Sequence, residues 1–300
     1  MALHRRYVPI ITLLIASLVF SAAGAADQRS ETIRRAVWAG SFYPADPQML
    51  RQTIEKLTAE AAESPVTIPE TKQLKALILP HAGYRYSGLT AAHAARVIVP
   101  GMFPRVIVMG PDHRMGLKHA AITRADAYET PLGKINIHPD AQMLRNRSAL
   151  FRSVPDSDAK EHSVEVILPF LQSYIGNFEF IPVVLGSECD LSGVTEAIAM
   201  LLDRDTLLVA SSDLSHYLPY DQAVDTDQDT LRCILDLDVT GLWKKKNAAC
   251  GKLPVLVIMQ MARQMNWQAV LLHYSNSGDT AGDRSRVVGY GAVAFFGEPQ

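Results

Sequence analysis

The stretch "KALILPHAGYRYSG", residues 75–88, decides how the chain is read. Residues 76–79 form an apolar run that stops at Pro80, and His81 follows at once. A strand without apolar–polar alternation is covered on both faces, as in a parallel sheet flanked by helices. In open sheets of that kind ligands bind beyond the carboxyl ends of the strands. His81 stands at that address. Gly83 behind it reads as room for a close backbone approach, and Tyr84 and Tyr86 as candidate walls of a pocket.

Working outward, five more apolar runs read as buried strands: 106–109, 181–185, 207–210, 270–273 and 287–296. Helical patterns lie between them. Asp46 caps a helix that opens at Pro47 and lines up Leu50, Ile54 and Leu57 on one face. Further helices are expected near 88–98, 163–174, 191–203, 226–236 and 254–265, with Pro169 kinking the 163–174 helix. Strands alternating with helices predict an α/β fold with a mostly parallel central sheet and helices on both faces. No linker-like stretch follows residue 30, so one domain is expected, with long loops and a small hairpin in 111–160.

The residues after each run carry the chemistry. "PHAGY" brings His81, "GPDHR" brings Asp112 and His113, "SSDLSHY" brings Asp213 and His216, and the 270–273 run ends on His273. Cys250 in "NAACGKLPV" stands just before an expected helix start, where backbone amides stabilise a thiolate and lower its pKa. Two histidines and a thiolate suit a divalent ion with open positions, and this donor set leans toward iron, copper or zinc. Cys189 reads as a loop residue and Cys233 as a helix-core residue; a disulfide between them is one option. In "KEHSVEVILPFL", Glu161 and Glu165 would share a helix face. Glu161 or His162 then reads either as a solvated helix start or as a partner closing over the site.

Other chemistries find no support. There is no G-x-S-x-G elbow, no P-loop and no G-x-G-x-x-G. The 300 residues are 48% hydrophobic and 20% charged, with a net charge of −2, which argues against nucleic acid as a partner. Residues 1–26 look like a secretory signal: Arg5 and Arg6, an apolar stretch over 8–20, then Ala23-Gly24-Ala25. The apolar stretch is short against the roughly 20 residues of a membrane span. Export to the periplasm or outside is expected, by the general secretory route rather than the twin-arginine route, with no membrane span after cleavage.

The motifs together resemble the Memo family, also described as AmmeMemoRadiSam system protein B. The matching stretches are "WAGSFYPADPQML" (38–50), "PHAGYRYSG" (80–88), "GPDHR" (110–114), "TPLG" (130–133), "EHSVEVILPFL" (161–171), "IPVVLG" (181–186), "SSDLSHY" (211–217), "CGKLP" (250–254) and "VVGYGAVAF" (287–295). The resemblance implies a single Memo-like domain over 27–300 with the fold of class III extradiol dioxygenases, which use iron(II). It implies a metal triad of His81, His113 and Cys250, with His216 as catalytic acid or base and Asp213 beside it. Cysteine stands here where the dioxygenases have a glutamate. On this reading the protein is a metal-binding redox or oxygenase-like protein holding iron(II) or copper. Tyr84, Tyr86, Asp112, Glu161 and His162 would line a pocket for a small molecule or peptide. The rivals are a non-catalytic binding module on the same scaffold and a hydrolase with Cys250 as nucleophile.

Overall fold

In the computed structural model, which describes residues 30–64, 66–147 and 149–299, the apolar runs are strands of one large sheet. The expected signal segment lies outside the described residues. The strands are β1 (Ile33–Arg34), β2 (Gln73–Leu79), β3 (Arg105–Pro111), β4 (Ala120–Ala121), β5 (Ala127–Thr130), β6 (Gly133–Asn136), β7 (Phe151–Arg152), β8 (Glu179–Leu185), β9 (Thr206–Ser211), β10 (His216–Leu218), β11 (Gln268–Asn276) and β12 (Val287–Gly297). The helices are α1 (Pro47–Ala62), α2 (Tyr84–Ala92), α3 (Asp140–Arg147), α4 (Pro155–Lys160), α5 (Leu168–Ile175), α6 (Leu191–Ala199), α7 (Tyr220–Leu235), α8 (Val239–Lys244), α9 (Lys252–Gln264) and α10 (Ser277–Ala281).

The main sheet runs β10-β12-β2-β9-β3-β8-β4-β7, with β11 also paired to β12. Its centre, β2-β9-β3-β8, is parallel. Its wings bring in antiparallel pairs, β12 against β2, β11 against β12 and β4 against β8, while β7 at the far edge is parallel to β4. The sheet is therefore mixed, with a parallel heart. A small second sheet, β1-β5-β6, contains the hairpin expected within 111–160.

The strand residues explain the layering. Along β2, Leu77 and Leu79 enter one core while Ala76 and Ile78 enter the other. β3 splits the same way, Val106 and Val108 against Ile107 and Met109, and so does β9. Each strand thus buries both faces, which is why no alternation shows in its sequence. Residues of α1, α2 and α5 fill the first core, and residues of α6, α7 and α9 the second.

The caps behave as their residues dictate. Asp46 Oδ1 accepts from the Met49 amide and Pro47 takes the first helical position of α1. Pro169 kinks nothing: α5 begins at Leu168, so the proline sits in a first turn whose amides need no partner. For the same reason the 161–167 stretch is a turn rather than a helix, and Glu161 and Glu165 share no helix face. The other expected helices appear with shifted ends, the 88–98 region being α2 followed by a short 3-10 turn over His93–Arg96.

Candidate metal centre

Three parallel strands end side by side, and their following residues meet. β2 delivers His81, β9 delivers Asp213, and β3 delivers His113. The His81 amide donates to Asp213 Oδ1 at 2.8 Å, and the Ala82 amide to the same oxygen at 3.3 Å. His81 is 1% exposed. Its Nδ1 lies 2.8 Å from Ser211 Oγ, whose own proton goes to the Ser163 carbonyl at 2.5 Å. Ser211 can then only accept from His81, so Nδ1 carries the proton and Nε2 keeps its lone pair, an acceptor for the Cys250 thiol 3.2 Å away.

His113 reaches the same state by another route. Its Nδ1 faces Glu161 Oε1 at 2.9 Å and its amide donates to Oε2 at 2.7 Å. A carboxylate only accepts, so Nδ1 again donates and Nε2 is free. Burial works against the Glu161 charge, but hydrogen bonds from His113 and the Ser163 amide outweigh it and hold the pKa at about 2. The Glu161 side chain is thus an anchor behind an imidazole, not a wall of a pocket.

His162 completes a trio of rings. It stacks on His113 with centroids 4.5 Å apart and meets His81 edge-on at 5.3 Å. Its Nδ1 is buried and makes no well-aligned hydrogen bond, with Glu161 Oε1 3.3 Å away. Burial, then the neighbouring imidazoles, push the pKa of both His81 and His162 down to about 3, so the rings are neutral at pH 7.

On the other side of His81 stands Cys250. Its Sγ lies 3.2 Å from His81 Nε2 and 3.3 Å from the Asp213 amide. A Cβ at Gly251 would come within 2.5 Å of the Ser211 carbonyl oxygen, so a glycine is needed for the start of α9 to pack this tightly on β9. Gly83 is different: a Cβ there would meet only ordinary contacts, the nearest at 3.5 Å, so no close approach depends on it. The expected thiolate is also corrected. Some of Cys250 reaches solvent, yet burial and the Asp213 carboxylate push its thiol pKa up, outweighing the helix-end amides. Burial likewise raises the pKa of Asp213. Cys189 and Cys233 are free thiols, not a disulfide.

His216 opens β10, its Nδ1–H donating to the Leu214 carbonyl at 2.9 Å. It is close enough that a charge on it depresses the pKa of His81. The loop that carries it is braced by Asp227, which accepts from the Ser215 amide at 2.8 Å and from the Tyr274 hydroxyl at 2.9 Å.

The other expected residues have varied surroundings. Tyr84 turns into the core: it stacks on Phe170 at 4.4 Å and its hydroxyl donates to the Val166 carbonyl. Tyr86 is exposed, with the Arg85 guanidinium 5.8 Å from its ring. Asp112 shapes the loop after β3 by accepting from the Arg114, Met115 and Leu117 amides. His273 is not at a strand end, because β11 runs on to Asn276; it stacks on His93 at 4.1 Å.

Sequence reasoning missed the wall that covers the rings. Trp38 and Phe42 pack on His162 at 5.6 and 4.9 Å. Their segment is tied down by Glu165, which accepts from the Val37 and Trp38 amides and the Tyr43 hydroxyl and pairs with Arg34 at 2.5 Å. The signal in the sequence is an acid set among apolar residues, Glu165 between Val164 and Val166.

The donor atoms fit a metal ion. Those of His81, His113 and His162 all lie within 4.8 Å of one another, and so do those of His81, Asp213 and Cys250. Free imidazole lone pairs and an orphaned buried nitrogen are what such an ion satisfies. His81 belongs to both groups, while no such group among the described residues contains His113 and Cys250 together.

Comparison with known proteins agrees with the motifs. The Memo-like protein family matches residues 34–294. A MEMO1 family protein of Methanopyrus kandleri is 38% identical over 276 residues, covering 86% of this chain and 96% of its own length. One from Sulfolobus acidocaldarius is 34% identical over 284 residues, covering 88% and 99%. A solved structure, an uncharacterized protein from Escherichia coli K12, overlaps with a TM-score of 0.48 at 12% identity, covering 74% of this chain and 99% of that one. Since the family match begins in β1 and ends in β12, taking in every strand end that carries the site, this chain belongs to the Memo family.

Proposed function

We propose that the protein binds iron or copper through His81, His113 and Cys250 and works as a redox or oxygenase-like protein. The observation that carries the reading is the pair of anchored imidazoles: His81 and His113 each commit Nδ1–H to a buried acceptor and keep an unprotonated Nε2, that of His81 facing the Cys250 sulfur at 3.2 Å. A bound ion would supply Lewis-acid and redox chemistry with positions open to a ligand.

The chain's own groups then have distinct tasks. His216 has its Nδ1 proton committed to Leu214, so Nε2 is the atom that takes or returns a proton. Asp213, locked by two amides, holds the His81 backbone in place. Trp38 and Phe42 keep water from the outer face of His162. The ligand on this reading is a small molecule or a peptide, and residues 1–26 mark the protein for export. The hydrolase reading, with Cys250 as nucleophile and His216 as base, is the less favoured one, because burial raises the thiol pKa of Cys250.

Elemental analysis after chelator-free purification tests the site. Iron or copper retained by the wild type and lost in His81→Ala/Cys250→Ser is expected; equal metal content in both overturns it. Oxygen uptake with catechols and reductants, dependent on His216, supports the oxygenase; metal binding without uptake makes the protein a binding module. Cell fractionation checks the compartment.

A further inference from the structure

We infer that an aromatic and basic face on the outer surface docks on an anionic membrane. Its parts come from three places in the chain. The end of α8 and the turn after it carry Trp243, Lys244 and Lys246. β10 carries Tyr217, and α7 opens with Tyr220. The segment before β12 carries Arg284 and Arg286. Contacts join them into one patch. The Lys252 ammonium lies 5.9 Å from the Trp243 ring and donates to the Trp243 and Lys245 carbonyls. The Asn247 side chain donates to the His216 carbonyl at 3.3 Å, which ties that turn to β10. The Arg286 guanidinium stands 5.1 Å from the Tyr217 ring, and that of Arg284 stands 4.2 Å from the Tyr220 ring.

The patch holds its rings out to solvent. Tyr217 is 62% exposed and Trp243 is 53% exposed, while Leu242 is the residue that α8 gives to the core. Tyr217 also has a φ of 60°, a conformation that residues other than glycine seldom hold, kept here for a ring that faces outward. The charges are available as well. Asp229 is taken by Arg232 and Lys245. Among the described residues, Lys244, Lys246, Lys252, Arg284 and Arg286 make no ion pair. The neighbouring acids Asp221, Asp279 and Asp283 are outnumbered, and Asp279 and Asp283 accept from Tyr220 and Ser285. The whole chain carries a net charge of −2, so the positive excess is local. Exposed Trp and Tyr rings flanked by Lys and Arg settle at the headgroup level of a bilayer, rings at the polar–apolar boundary and cations on the phosphates. An acidic peptide would match the charge, but it needs a groove to hold it, and the larger grooves are lined by other residues. A flat anionic surface is the partner that uses rings and charges together.

Co-sedimentation of the full chain with phosphatidylglycerol–phosphatidylcholine vesicles, and with phosphatidylcholine alone, tests this. Tighter binding to the anionic vesicles, weakened by added salt, is expected. Lys244→Gln/Lys246→Gln and Arg284→Gln/Arg286→Gln should each weaken it by about 25-fold, since one Lys or Arg near such a surface contributes about fivefold. Any contribution of residues 1–26 is the same in every variant, so the difference between variants reports the patch. Brominated lipid should quench part of the tryptophan emission, and Trp243→Phe should abolish that part. The two double variants lie on different segments, and circular dichroism reports any folding defect in either. If both bind anionic vesicles as the wild type does, or if lipid charge makes no difference, the inference falls. If polyglutamate binds through these residues and the vesicles do not, the partner is an acidic protein and the membrane assignment is overturned.

Discussion

The two ends of the parallel strands are built from the same sheet and do opposite things. At the carboxyl ends, His81, His113 and His162 stand together, with His81 and His162 held neutral and the Nε2 atoms of His81 and His113 left unprotonated. At the amino ends of β3, β8 and β9 lies a groove of about 1310 Å³ lined by Arg51, Arg105, Lys134, Glu179, Asp203 and Asp205 among others. It is roomy, yet its Arg105 is fully engaged. Arg105 donates to Thr206, Asp140, the Leu201 carbonyl and Asp203. Space marks one end and unsatisfied chemistry the other. Reactivity follows the groups left without partners, because a buried donor or acceptor already paired has nothing more to offer a ligand.

Breaking each end should have different consequences. The largest effect is expected for Glu165→Ala, which leaves Arg34 buried and unpaired and frees the Trp38 segment. Urea denaturation should show a loss of about 3–5 kcal/mol. Glu161→Gln removes the charge, and one of the two acceptor oxygens, that orient His113. Isothermal titration with Co(II) should show an affinity about 10–100-fold lower, with the fold intact. Arg105→Ala, at the opposite end, should cost about 1–3 kcal/mol in urea and leave metal affinity unchanged. A change in metal affinity there would show that the two ends communicate.

The smallest effect concerns His93 and His273, stacked away from both ends. Burial depresses the pKa of each below 6.5, that of His273 to about 4. Thr90 and the Leu89 carbonyl take their Nδ1 atoms, Arg96 opposes a proton on His93, and Glu60 and Asp279 favour one on the pair. The unfolded chain takes up protons as pH falls through 6.5, while the folded chain holds back until about pH 4. Stability should therefore drop across that window, by about 1–2 kcal/mol for this pair. Thermal melts at several pH values should show a shallower acid slope in His273→Gln.

The same contrast explains what could be read from residues alone. β2, β3 and β9 announced themselves because strands buried on both faces have no polar positions, and the histidines after β2 and β3 fell at the right address for the same reason. The antiparallel wings were hidden: β12 is as apolar as a parallel strand, and nothing local tells which way its neighbour runs. His273 was misplaced because β11 continues through polar residues to Asn276. Cys250 was expected as a thiolate because a helix start is visible in sequence, whereas the burial that protonates it comes from β9 and Asp213, distant in the chain. His162 was placed near the site, but its stacking on His113 depends on a turn that no periodicity predicts.

Trp38 gives the outer wall of the centre an optical use. Its indole lies 5.6 Å from the His162 ring and 4.8 Å beneath the Arg114 guanidinium. The other two tryptophans are Trp243, which is exposed, and Trp267, which packs in the second core. A paramagnetic ion bound against His162 would quench the emission of Trp38 selectively. On the metal reading, Trp38 would serve as a fluorescent gauge of occupancy, readable without labels and isolated by Trp243→Phe/Trp267→Phe.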